Sequence, residues 1–354
     1  MIGSNGSFMT KMCLLLAISQ FYYGAVTGST IEFISVGDWG SASLGGYHLR
    51  NAQGTAAAMK TYIANAKNSG GSGGDGVAFV LNTGDNFYYC GIQNTSDPQI
   101  SEDYTALFGG MGVPWYHSLG NHDYGFSPEA QLILNETIPE WIMDDRYYHR
   151  RIELPRDSGT GIIVNIIVLD TNPCVRDYRG TNRRLWDPCG TQYPDCSPIA
   201  EPCRFHENIL SQDCDTQLSW AKNVFANIPD GEWVFVVGHH KAEEVNVADF
   251  QTTILDNPRV HLYLNGHNHN LEHYSVNGQT KYMTTGAGGM VIIGDDERLN
   301  IRRNTTKPVV KSLWSKVVTG FTSHVFDDAG TTLTTYFWDI KQNKSIYSFD
   351  VTLT

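Results

Sequence analysis

Short apolar runs, each closed by a glycine and a polar cluster, recur along the first 270 residues of the chain. Segments 31–36, 77–81, 113–118, 162–169, 233–237 and 260–264 have the length and composition of buried strands. Between them, 49–67, 215–227 and 247–256 read as helices, the first ending at a flexible Asn-Ser-Gly-Gly-Ser-Gly-Gly stretch. Beyond residue 270 the pattern changes. Segments 272–277, 280–285, 321–326, 332–339 and 345–353 predict strands joined by turns, with Asn277-Gly278 as a hairpin signal. A strand-helix half followed by a strand-rich half fits an α/β fold of two stacked mixed sheets flanked by helices, a four-layer α/β/β/α sandwich. No internal repeat or composition break divides it, which predicts a single domain over 30–354.

Composition narrows the class. With 41% hydrophobic and 18% charged residues, the chain has the means to bury a large core. Its formal net charge of -12 argues against nucleic acid as a partner, yet leaves phosphate substrates open, because bound cations reverse the local field of a site. Lys11, the apolar stretch 12–26 and the small residues Ala25, Gly28 and Ser29 together predict a cleaved export signal over 1–29. That stretch is short for a membrane span, and no other segment approaches one, so no membrane anchor is expected in the mature chain. Outside the signal stand six cysteines, Cys90, Cys174, Cys189, Cys196, Cys203 and Cys214, which fits up to three disulfides in an oxidising compartment. Glycosylation sequons at Asn94, Asn135, Asn304 and Asn343 agree with a secretory route, ending outside the cell or in a vacuole or lysosome.

The chemistry lies in five motifs at the ends of apolar runs. They are Gly-Asp-Trp-Gly at 37–40, Gly-Asp-Asn-Phe-Tyr at 84–88, Gly-Asn-His-Asp at 120–123, Val-Val-Gly-His-His at 236–240 and Gly-His-Asn-His at 266–269. Side chains just past strand ends converge in open α/β sheets. Carboxylate, imidazole and amide oxygen suit two hard or borderline cations, and Asp85, with two oxygens, is the natural bridge between them. Tyr88 is the unusual member. A phenol with a pKa near ~10 becomes a ligand only beside a strong Lewis acid, which points to ferric iron.

All five motifs, in this order and with the tyrosine three residues after the second aspartate, resemble the purple acid phosphatases, in particular the small mammalian-type tartrate-resistant class. Pro114-Trp115-Tyr116, Asn270-Leu271 and Gly286-Ala287-Gly288-Gly289 extend the likeness. The resemblance implies Fe(III) bound by Asp38, Tyr88 and His269. It also implies a second ion, Fe(II), Zn(II) or Mn(II), bound by Asn121, His239 and His267, with Asp85 bridging. It implies an exported acid phosphatase that hydrolyses phosphate monoesters by attack of a metal-bound hydroxide, with His122 as the catalytic side chain at the phosphate or leaving group and Asp123 as its orienting partner. A phosphodiesterase or pyrophosphatase on the same metal core, or a scaffold protein of the same fold with weak catalysis, are the alternatives.

One departure stands out. Mammalian-type relatives carry a further histidine a few residues after the fourth-motif ligand, whereas this chain reads His239-His240-Lys241-Ala242-Glu243-Glu244. His240 and Lys241 are the positional substitutes. The cysteine-rich segment 174–214 occupies the place of a loop that overhangs the site in that family. The basic segment 298–316 reads as a solvated loop, and His48, like the other histidines outside the motifs, receives no role.

Overall fold

The computed structural model describes residues 31–69, 76–156, 160–180, 203–291 and 308–354; the expected export signal lies outside them. Among these residues the chain forms two seven-stranded sheets. The first contains β1 (Ile31–Val36), β2 (Gly76–Asn82), β3 (Trp115–His117), β4 (Trp141–Ile142), β12 (Gly320–Phe326), β13 (Thr332–Asp339) and β14 (Lys344–Thr352), in the order β14-β13-β12-β1-β2-β3-β4. The second contains β5 (Tyr148–Leu154), β6 (Ile162–Val168), β7 (Trp233–Val237), β8 (Leu262–Asn265), β9 (Leu271–Val276), β10 (Gln279–Thr285) and β11 (Val310–Lys316), in the order β11-β9-β10-β8-β7-β6-β5. In the first sheet β1 to β4 are parallel and run to one edge, with antiparallel β12 on the other side; in the second, β6, β7, β8 and β10 form a parallel centre bordered by antiparallel β5 and β9. Parallel strands are covered on both faces, which is why β1 and β7 are apolar almost throughout and buried at every position.

Aromatic side chains join the sheets. Phe33 on β1 stacks on Phe79 of β2 at 4.8 Å and reaches Phe235 on β7 at 5.1 Å, and Trp233 of β7 meets Phe326 of β12 at 5.4 Å. The neighbouring Glu32 points to the other face and bonds the Tyr62 hydroxyl of the helix Gly46–Ser69. That helix buries Ala52, Ala56, Met59, Ile63 and Ala66, a three-and-four spacing that puts one stripe on the first sheet. On the outer face of the second sheet lies the helix Cys214–Asn227, capped by the Asp213 carboxylate at the N–H groups of Asp215 and Thr216. Its Leu218, Ala221 and Phe225 pack with Val234 and Val236 of β7. Helix, sheet, sheet, helix is the layering expected from the pattern.

Two expectations need correction, and one strand was not foreseen. Residues 310–316 of the basic segment form the edge strand β11, in which Lys311, Ser312, Ser315 and Lys316 break any apolar run. The strand β5 is likewise an edge, carrying Arg150 and Arg151. The expected helix 247–256 is a short α-helical turn, Ala248–Phe250, running into a wider π-helical turn, Gln251–Leu255. Within the cysteine-rich segment, Cys174 and Cys214 form a disulfide that ties β6's exit loop to the start of a helix; Cys90 and Cys203 are also oxidised to disulfides.

Candidate metal centre

The candidate ligands sit just beyond the carboxyl ends of parallel strands: Asp38 after β1, Asp85 after β2, Asn121 after β3, His239 after β7, and His267 and His269 after β8. The loops interlock through the backbone. The N–H of Asp38 bonds the Gly84 carbonyl at 3.0 Å, and that of Gly266 bonds the His239 carbonyl at 3.0 Å. Glycine is required where the loops touch. A Cβ on Gly120 would lie 2.1 Å from Asp85 Oδ1, and one on Gly266 would lie 2.4 Å from Asp38 Oδ2. Asp38, Asp85, His267 and His269 all adopt the left-handed backbone region, with φ between 46° and 70°. That conformation costs a side-chain-bearing residue free energy, on the order of 1–3 kcal/mol, and here it turns four donors inward at once.

The donor atoms form two clusters. In the first, Tyr88 Oη lies 3.0 Å from Asp38 Oδ1, 2.9 Å from Asp85 Oδ2 and 3.1 Å from His269 Nε2. In the second, Asn121 Oδ1 lies 3.1 Å from His239 Nε2 and 3.0 Å from His267 Nδ1, and the two ring nitrogens are 3.2 Å apart. His239 Nε2 is also 3.3 Å from Asp85 Oδ2, so this single oxygen belongs to both clusters. The sequence expectation gave Asp85 two working oxygens. Its Oδ1 is instead occupied by the His122 N–H at 2.9 Å, just as Asp38 Oδ2 is held by the His267 N–H at 3.0 Å. Each carboxylate fixes itself with one oxygen and presents the other.

The donor set fits cations. An ion about 2 Å from each ligand leaves neighbouring ligand atoms roughly 3 Å apart, which is the spacing in both clusters. Protons serve it poorly. Burial, and then the Asp38 and Asp85 charges, drive the Tyr88 phenol well above its ordinary range, so only a cation makes it a phenolate. Burial opposes protonation of His239, yet Asp85 and Asp38 push it up to about 10, while burial and the adjacent His239 push His267 down to about 3. Metal-capable groups of Asp38, Asp85 and His269, and of His239, His240 and His267, agree with this division except at His240. The His240 ring is held at Nδ1 by Thr171 Oγ1 and at Nε2 by Tyr178 Oη, both at 2.7 Å.

Around the clusters the structure revises several roles. His122 is buried, lies 4.4 Å ring to ring from Tyr88, and donates from Nδ1 to the Tyr89 carbonyl at 2.6 Å. That bond sets its tautomer and makes Nε2 the nitrogen that exchanges a proton. Asp123 does not orient it. Its carboxylate accepts the N–H groups of Asn86, Phe87 and Gly120 and the Gln131 amide, and so clamps the second motif to the third. Both positional substitutes for the absent histidine are engaged by neighbouring side chains. His240 is pinned as above, and Lys241 Nζ is spent on Glu272 at 2.9 Å and Glu243 at 3.3 Å, over the Tyr274 ring. His48 is buried, and burial followed by the charge of nearby His269 lowers its pKa; a lone histidine in a first helical turn gave no sequence signal of that proximity.

With this geometry in view, likeness to known proteins is decisive. The calcineurin-like phosphoesterase family matches residues 31–271, well over half of the chain. The chain belongs to this family. Within it, this phosphoesterase is 30% identical to tartrate-resistant acid phosphatase type 5 of Oryctolagus cuniculus, over 74% of each protein, and 29% identical to purple acid phosphatase 7 of Arabidopsis thaliana, over 73% of this chain and 70% of that one. Solved structures of lower identity share the fold alone, two of them over most of this chain. One is GAP50, the anchor in the inner membrane complex of Plasmodium, with a TM-score of 0.61, 21% identity and coverage of 92% of this chain and 90% of that one. The other is the purple acid phosphatase PPD1 from yellow lupin seeds, with a TM-score of 0.53, 12% identity and coverage of 92% and 54%. The phosphoesterase is therefore a metal-dependent phosphoester hydrolase of the purple acid phosphatase kind.

Proposed function

We propose that this protein is an exported acid phosphatase acting on phosphate monoesters at a dinuclear centre of Fe(III) and a divalent ion. The observation that carries the reading is the pair of donor clusters meeting at Asp85 Oδ2, with a buried tyrosine in one of them. Asp38, Tyr88 and His269 would hold the ferric ion, and Asn121, His239 and His267 the iron, zinc or manganese ion. Two such ions acidify water and neutralise charge on a phosphoryl group in transfer. The chain's own residues do the remaining work. His122, with its Nδ1 proton fixed on Tyr89, offers Nε2 to a phosphate oxygen or a departing alkoxide. Asp123 keeps the Asp85 and Asn121 loops in register. Export is supported by the apolar stretch 12–26, by the Cys174–Cys214 disulfide and by the exposure of Asn94, Asn135 and Asn343. Among the described residues no helix is long and apolar enough to cross a membrane.

The test is metal analysis with a visible spectrum on protein purified without added metal, followed by assay of an aryl phosphate from acidic to neutral pH. Two metals per chain, a purple or pink charge-transfer band lost in Tyr88→Phe, and turnover are expected. Two zincs without that band would leave a generic metallophosphatase. The fold likeness to GAP50 makes an anchor the second reading; full metal occupancy without turnover would select it.

A further inference from the structure

The two imidazoles of the second cluster face it with different nitrogens. His239 presents Nε2 and donates from Nδ1 to the Thr83 carbonyl at 2.8 Å. His267 presents Nδ1, so a neutral, ligating His267 carries its proton on Nε2. That nitrogen lies 3.6 Å from Glu244 Oε1, within ion-pair range and longer than a hydrogen bond. The carboxylate is itself aimed. Glu244 Oε2 accepts the Lys241 N–H at 3.0 Å, closing a tight turn directly after the ligand loop. The Lys241 ammonium pairs directly with Glu272 and Glu243 and acts on Glu244 only through its charge. On its other side His267 packs against the His240 ring at 4.8 Å, which Thr171 and Tyr178 hold still. Glu244 thus stands in the segment where the sequence departs from its mammalian-type relatives.

We infer that Glu244 is a positioning residue for the divalent ion: it selects the His267 tautomer with the proton on Nε2 and strengthens Nδ1 as a ligand. The inference rests on the dinuclear reading above. Partners of this kind behind a metal-bound imidazole are worth about 10–100-fold in metal affinity. The other imidazole of this cluster relies on a backbone carbonyl, which no substitution removes. Glu244 is the corresponding support that a side-chain change can delete.

The experiment is zinc binding to metal-stripped full-length protein, read by competition with a chromogenic chelator. Wild type should bind two zinc ions per chain. Glu244→Gln, close in shape, should weaken one of them about tenfold or more and leave the other unchanged. Glu244→Asp should restore part of the loss. In a His267→Ala background, Glu244→Gln should have no further effect, because its route to the ion is gone. An unchanged zinc affinity in Glu244→Gln overturns the inference. So does an equal additional loss when His267 is already alanine, which would make the effect one of general charge. Wild type that binds no zinc would refute the dinuclear reading and this inference together, whereas two tight zincs unaffected by Glu244→Gln would refute this inference alone.

Discussion

Glu32→Gln tests whether the layering read here controls stability. Glu32 lies on β1, buried to 3% exposure between the first sheet and the helix Gly46–Ser69, with the Tyr62 hydroxyl as its partner and Tyr336 close enough to feel its charge. Burial outweighs the Tyr62 hydrogen bond and raises its pKa from 4.5 to about 7. Below 4.5 both folded and unfolded chains hold the proton, and the contribution of Glu32 is fully present. As pH rises through 4.5 the unfolded chain releases the proton first, so stability drains away until the folded carboxyl ionises near 7. At about 1.4 kcal/mol per pH unit, that window amounts to about 3 kcal/mol. A glutamine stays neutral throughout. Glu32→Gln should therefore match wild type in urea unfolding near pH 4.5 and exceed it by about 3 kcal/mol at pH 8. The position is six residues before Asp38, about 20 Å along an extended strand, so metal binding should be common to both proteins and cancel in the difference. A difference between the two proteins that stays flat from pH 4.5 to 8 would refute the reasoning and show that water reaches Glu32.

Two further substitutions separate structural from catalytic roles. Asp123→Ala strands three backbone N–H groups, those of Asn86, Phe87 and Gly120, at a cost of about 1–3 kcal/mol each; it should lower the unfolding midpoint and loosen metal retention together, and a fully stable variant with altered activity alone would restore the orienting role to Asp123. His240→Ala removes a ring that bridges Thr171 and Tyr178, so it should cost roughly 2–4 kcal/mol in unfolding while the shape of the pH–rate profile stays as in wild type; a shifted profile would mark His240 as a proton donor after all.

The five motifs were legible because each follows a strand that is buried on both faces, and such strands are continuous apolar runs in any numbering. Their order and the tyrosine after Asp85 carry the family resemblance in the sequence itself. Edge strands were not legible. β5 and β11 carry arginines and lysines on a face that water covers, and a half-exposed strand has no apolar run to announce it. Asp123 and His122 adjoin in sequence, yet the short turn His122–Tyr124 sends their side chains to different partners.

By itself the sequence determined which side chains could bind metal, because donor type and strand-end position are local properties of the chain. It determined the layering too, through periodicities of two and of three to four. Which atom of each donor faces the centre was decided only by tertiary structure. Asp85 lends one oxygen to both clusters because the His122 N–H has taken the other. His239 and His267 present different nitrogens, with the Thr83 carbonyl bonded behind one ring and Glu244 at 3.6 Å behind the other. Those partners lie between 23 and 156 residues away from the side chains they hold, apart from local turns. Contacts at such separations leave no spacing to read; strand pairing within each sheet and the closing of one sheet on the other bring them together.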